Sequence, residues 1–294
     1  MLWLLFAIIS TLAYSAYHLL NKKIVRKTRP SYLANAIMIV FAALNIPFIL
    51  IYSHEISINN MVVVGMLVSG FVFNLAIIYY MRALKEGEIT ETIPLLAVSP
   101  IFTLLIAFLL VGEMPGIMGI AGISLIIIGA YVLNIENFSS HHLLRPFTSL
   151  WHKPSSRHML LVAFFLGLGG GLDKFIINSS NAITRILLMP YFVLLFQMPY
   201  LIIRDRHGYL TETKKAFFRK PWQLIGVSLV FLVNISAHVI AVSLTYAAYV
   251  IAIKRTSAFF AVVAAYFIYK EKKHFHSALL GTLLLIAGAV LFVV

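Results

Sequence analysis

The chain contains no cysteine. That removes disulfides, thiolate catalysis and cysteine-ligated metals, and it leaves the redox compartment unread. Charge is scarce as well. Asp, Glu, Lys and Arg make up 11% of the 294 residues, where a soluble domain carries about 25%. So little charge cannot cover a water-facing surface, which excludes soluble enzymes, disordered regulators and nucleic-acid binders. Acid is the scarcest class, with 10 acidic residues against 23 basic ones and a formal net charge of +13. In a soluble protein such an excess would point to nucleic acid. In a membrane protein it reports topology, because Lys and Arg gather in cytoplasmic loops. The only aspartates are Asp173 and Asp205, and no HExxH or acid-rich cluster occurs. An intramembrane enzyme would need paired acids, metal ligands or a nucleophile with its base. The expectation is therefore no enzyme, no metal and no cofactor.

Apolar sequence is abundant, at 61% hydrophobic and a mean hydropathy of +0.96. A membrane helix needs roughly 20 mostly apolar residues. Ten stretches qualify: Met1–Leu20, Tyr32–Tyr52, Met61–Met81, Ile93–Val111, Ile117–Leu133, Met159–Leu172 (running on towards Ile177), Ile186–Ile203, Trp222–Thr245, Ala248–Tyr269 and Ala278–Val294. The first has no basic leader and is too long for a signal peptide. Together the spans consume most of the chain, so the protein acts within or across the bilayer.

The connections are lopsided. Basic residues crowd the loops after spans 1, 3, 5, 7 and 9, from Lys22–Arg29 through Lys214–Lys220 to Lys270–Lys273, while those after spans 2, 4 and 8 have none. The positive-inside rule makes the rich side cytoplasmic and turns both termini outward. The longest polar stretch, residues 137–157, reads as a linker between two five-span halves, 1–136 and 158–294. Five is odd, so similar halves would insert in opposite orientations. Internal matches support two copies. Ile120-Ala-Gly-Ile-Ser-Leu-Ile-Ile-Ile-Gly-Ala resembles Leu279-Leu-Gly-Thr-Leu-Leu-Leu-Ile-Ala-Gly-Ala, Gly112-Glu113 lies where Lys270-Glu271 lies, Asn21-Lys-Lys-Ile faintly matches Leu172-Asp-Lys-Phe, and Asn74 matches Asn234.

The pattern Arg82-Ala-Leu…Pro94…Ser99-Pro100…Gly112-Glu113…Gly122…Gly129 resembles an EamA domain of the drug/metabolite transporter superfamily. So does Ile253-Lys-Arg-Thr-Ser…Lys270-Glu271…Gly281…Gly288. The resemblance spans nearly the whole chain, although the second half lacks prolines matching Pro94 and Pro100. It implies an all-α integral membrane protein, with ten transmembrane helices in two inverted five-helix repeats and a substrate cavity between them. It leaves the substrate open, since the superfamily moves amino acids, drugs, sugar nucleotides and phosphorylated sugars.

Nine of the ten spans as drawn carry no Asp, Glu, Lys or Arg; span 9 carries Lys254 and Arg255. Charge at that depth faces a cavity or a partner, or snorkels to the headgroups. Adjacent helical residues point about 100° apart, so both cannot easily face lipid. Two cations without an evident carboxylate suit an anionic ligand, Arg as a bidentate fork and Lys as a point charge. The pair also resembles the Lys-Arg on the penultimate helix of plastid triose-phosphate translocators, which implies contact with phosphate or carboxylate. His18 and His238 are the buried titratable candidates, as proton relays or as neutral histidines bonded to a neighbouring helix. Asn74 and Asn234 read as substrate contacts or as interhelical glue. Tyr14 and Tyr80, with Tyr17 and Tyr79, suit an aromatic wall. Lys174 reads as a local ion-pair partner of Asp173 or as a gate contact. Spans 3, 4, 8 and 9 are expected to line the cavity.

The function expected is therefore a secondary transporter of a small organic metabolite with an anionic group, working by alternating access. An exporter of amino acids, amines or drugs and a lipid-phosphate flippase are the other readings. A small-molecule substrate, membrane lipids and optionally a coupling ion are the partners; nucleic acid is not. Monomer and homodimer both fit, and a bacterial inner membrane is the expected location.

Overall fold

The computed structural model describes residues 1–114, 116–133, 153–206 and 208–270, with four single positions beyond. The described residues are helical throughout: α1 (Leu2–Val25), α2 (Pro30–Ile51), α3 (Asn60–Glu86), the short α4 (Ile89–Thr92), α5 (Ser99–Val111), α6 (Ile117–Leu133), α7 (Pro154–Ser179), α8 (Ala182–Arg204), α9 (Tyr209–Phe218), α10 (Pro221–Leu244), α11 (Ala247–Arg255) and α12 (Ser257–Tyr269). Among them eight segments are long and apolar enough to cross a membrane, counting α4–α5 and α11–α12 as one each. Helix α6 is a shorter apolar helix. Most of the expected tenth span and most of the linker lie outside the described residues.

Local sequence sets the ends. Helices α2, α7 and α10 begin with proline in the first turn, where its missing N–H costs nothing and its fixed φ suits the helix. The helix after the linker begins within the stretch that reads as linker. Helix α7 starts at Pro154, and its polar first turn of Ser155, Ser156 and Arg157 carries no hydropathy to announce it. Asn59 and Asn181 cap α3 and α8 by accepting from Val62 N and Thr184 N. Their side-chain amides also donate to Ser179 O and Glu55 O, which knits the α2–α3 connection to the α7–α8 connection.

Span 4 is not one helix. Between α4 and α5 the chain tightens into a 3-10 segment, Ile93–Val98, bracketed by Pro94 and Pro100. Each proline removes an N–H from the α ladder. Span 9 breaks as well, at Thr256 between α11 and α12, without any proline. Helices α5 and α12 end alike. Gly112 (φ 68) and Lys270 (φ 57) both take the left-handed conformation.

Packing crosses the two halves. The most extensive contacts pair α1 with α10 and α3 with α7, and next come α5 with α7 and α1 with α11–α12. Helix α2 packs on both α8 and α10. Small residues permit the closest approach. A Cβ at Gly167 would lie 2.4 Å from Phe102 Cβ, and one at Gly171 would lie 2.7 Å from Ile106 Cβ, so α5 rides in the glycine face of α7.

Candidate functional site

A cavity opens among α1, α2, α3, α7, α8, α10 and α11, with about 880 Å³ of empty space including its open mouth. Its apolar part is built from Met38, Phe41, Phe73, Tyr80, Val193 and Phe231. Its polar part holds Tyr14, Asp173, Arg185, Asn234, His238, Lys254 and Arg255.

Lys254 and Arg255 close α11 at the break before Thr256. They are 6% and 4% exposed, so snorkelling to headgroups does not describe them. Lys254 Nζ sits 4.7 Å from the Tyr14 ring centroid and Arg255 Cζ 5.9 Å from it. Such cation–π contacts partly offset desolvation. Among the described residues no carboxylate lies within ion-pair distance of either. Arg255 Nε and Nη1 are buried without a hydrogen-bond partner. Donors in that state carry the full cost of desolvation until something accepts from them.

Asp173 belongs to the same wall, and its expected pairing with Lys174 does not form. Adjacent helical residues diverge by about 100°. Asp173 turns inward to Arg185 of α8, with Nε and Nη2 each 2.6 Å from Oδ1. Both side chains are 1% exposed. The second oxygen, Oδ2, has no hydrogen-bond partner and faces His238 Nε2 at 3.7 Å. Lys174 turns the other way. It pairs with Glu113 at 3.0 Å and donates to Val242 O and Thr245 O at the end of α10.

The structure thus gathers Lys254, Arg255, Asn234, His238, Tyr14 and Tyr80 on one cavity. Two candidates stand outside its wall. His18 lies behind Tyr14, its ring 4.1 Å away, and its Nδ1 is bonded to Tyr80 Oη at 2.7 Å. Asn74 is buried on α3 while its neighbours Phe73, Ala76 and Ile77 take the wall. Asn234 is held from α1 by Ser10, which donates to its Oδ1 at 3.0 Å, and its Nδ2 is left without a partner. Span 4 does not reach the cavity, because the glycine face of α7 draws α5 to the far side. Helices α1, α2, α7 and α8 contribute in its place. Sequence reading missed Asp173 and Arg185 because they flank a polar turn and look like loop charges.

Eight membrane-length apolar helices among the described residues fit a multi-pass membrane protein. Residues 1–135 match the model of the EamA-like transporter family. A solved structure titled only "Crystal structure of protein" superposes with a TM-score of 0.63 over 98% of this chain and 95% of its own, at 12% identity. That likeness is one of fold alone. No curated protein matches the chain.

Proposed function

We propose that the protein is a secondary transporter that carries a small organic metabolite by its anionic group, held by Lys254 and Arg255. One observation carries this reading: two buried cations share a cavity, among the described residues no carboxylate pairs with either, and two nitrogens of Arg255 lack a hydrogen-bond partner. Arg185, Lys254 and Arg255 outnumber the single carboxylate of Asp173. The surplus favours a phosphate or carboxylate ligand. The unfilled Nδ2 of Asn234 adds a donor, and Tyr80, Phe41 and Phe231 wall the organic part. A second reading, a zwitterionic amino acid, is favoured by Asp173 Oδ2, which has no hydrogen-bond partner and suits an ammonium group.

Alternating access between two inverted five-helix repeats is the motion this reading needs. Its support is a set of paired features. Helix α1 packs on α10 as α3 packs on α7. Lys22 at the end of α1 donates to Leu84 O and Gly87 O at the end of α3. Lys174 of α7 does the same to the end of α10. The breaks at Ile93–Val98 and Thr256, and the left-handed ends at Gly112 and Lys270, form two further pairs.

Thermal stabilisation of the purified protein by a ligand panel tests the reading. The panel holds sugar phosphates, organic acids, amino acids, nucleosides and cationic drugs. A ligand at 100 times its Kd, bound only by the folded state, adds about 2.7 kcal/mol. Phosphorylated or carboxylated compounds are expected to stabilise, and Lys254→Ala and Arg255→Ala to abolish both that effect and transport. Stabilisation by amines alone would move the assignment to an amine or drug exporter. Stabilisation by amino acids, lost in Asp173→Asn, would select the zwitterion.

A further inference from the structure

Helix α9 lies between the seventh and eighth spans, hidden from hydropathy by its charge. Its connection to the α1–α2 loop uses up the local acids. Arg29 pairs with Asp205 at 3.0 Å and Glu212 at 3.4 Å, and Tyr32 donates to Asp205 at 2.9 Å. The Tyr32 hydroxyl, then the Gly208 N–H and Arg29, hold the Asp205 carboxyl below the ordinary carboxylate range. Glu212 also takes Lys215 at 2.7 Å.

Beside this corner four cations remain with no carboxylate in ion-pair distance among the described residues. Lys23 and Lys27 come from the end of α1. Arg219 and Lys220 come from the turn between α9 and α10. All four are exposed and rim a notch of about 330 Å³ floored by Ile24, Ala216 and Leu224. Arg219 donates to the Lys27 carbonyl, which fixes the two sides of the notch to each other. Like charges held this close repel unless an anion sits among them. The surroundings say which anion. Leu210 and Phe218 of α9 and Trp222 at the start of α10 are 68%, 79% and 83% exposed. Large apolar and aromatic side chains so placed beside Lys and Arg mark a membrane–water boundary.

We infer that this notch binds the headgroup phosphate of an anionic phospholipid from the leaflet on the basic side of the protein. The acyl chains run along the apolar start of α10. The ligand joins α1 to the start of α10, and α1 with α10 is one of the two most extensive helix pairs across the halves, beside α3 with α7. A bound lipid therefore stabilises the whole fold and not the corner alone. The inference is independent of what the central cavity carries.

The test is thermal unfolding of the full chain in neutral detergent, titrated with phosphatidylglycerol, phosphatidylcholine or inorganic phosphate. Phosphatidylglycerol is expected to raise the Tm saturably, and the other two to leave it in place. Paired variants Lys23→Gln/Lys27→Gln and Arg219→Gln/Lys220→Gln should each lose at least half of the rise. Lys214→Gln/Lys215→Gln, which removes as much charge from α9 outside the notch, should keep all of it. The first pair retains the Arg219 bond to the Lys27 carbonyl, so its loss is not a packing defect. Where a pair fails to fold, the single variants Lys23→Gln and Lys220→Gln give the same reading at half the charge. A full rise in the notch variants, or an equal loss in the Lys214/Lys215 control, overturns the assignment. An equal rise with inorganic phosphate would make this a free-phosphate site, and an equal rise with phosphatidylcholine would remove the headgroup from it.

Discussion

Buried charges in this protein fall into two kinds that respond in opposite ways to removal. Arg185 and Asp173 are an engaged pair, with 2.6 Å contacts and 1% exposure on both sides. Removing one partner strands the other in the core, at a cost of about 3–5 kcal/mol. Arg185→Ala should lower the Tm accordingly, whereas Arg185→Met with Asp173→Leu should recover most of it. Lys254 has no such partner and lies next to Arg255. Lys254→Met in the absence of ligand is therefore expected to leave the Tm unchanged or raise it, by removing a desolvated charge and a like-charge neighbour. Thermal unfolding of the three variants distinguishes the kinds. If Lys254→Met were as costly as Arg185→Ala, Lys254 would be a structural cation, and the anion site would rest on Arg255 alone.

At the scale of elements, the helix ends invite the sharpest tests. Gly112 closes α5 in the left-handed region, and a Cβ added there would touch nothing within 4 Å. Gly112→Ala then costs only the conformational penalty, about 1 kcal/mol. Lys270 holds the same conformation with a side chain. Lys270→Gly should gain about 1 kcal/mol by relieving it. Paired unfolding curves, shifted in opposite directions, would establish the equivalence of the two ends. These elements also mark how far sequence carries. Spans with uninterrupted apolar runs were legible to within a few residues, and α6 has the expected ends, Ile117 and Leu133. Pro94 and Pro100 mark the break in span 4, where a simple kink would also fit the sequence. Nothing in the text Arg255-Thr-Ser announced the break in span 9, because no proline or glycine marks it. Helix α9 reads as a loop in sequence, since Lys214 and Lys215 outweigh Leu210 and Phe217 in any hydropathy window. At the site, Lys254 and Arg255 stood out because they interrupt an apolar run. Asp173 and Arg185 sit only twelve residues apart around a turn. Which way each side chain faced was decided by packing, which composition does not record.

For the whole molecule, sidedness is the first thing to establish. The chain has no cysteine of its own, so single cysteines can be placed without altering the background. Ser53→Cys lies in the connection after α2, and Lys214→Cys lies on α9. With both termini outward, a membrane-impermeant thiol reagent added to intact cells should label the first and spare the second until the membrane is permeabilised. The reverse pattern would invert the topology and leave the fold untouched.

The exchange of partners between halves has a consequence in time. Ser10 on α1 donates to Asn234 on α10, 224 residues later in the chain. At a synthesis rate of roughly 5–20 residues per second, the second partner follows the first by about 10–45 s. For that interval Ser10 and Thr11 of α1 stand in the bilayer without Asn234 of α10 and the Ile253 carbonyl of α11 that will cover them. Nascent chains of this protein thus pass through a long stage in which their first helix is a poor resident of lipid, and whatever shelters it then is as much a determinant of yield as the stability of the finished fold.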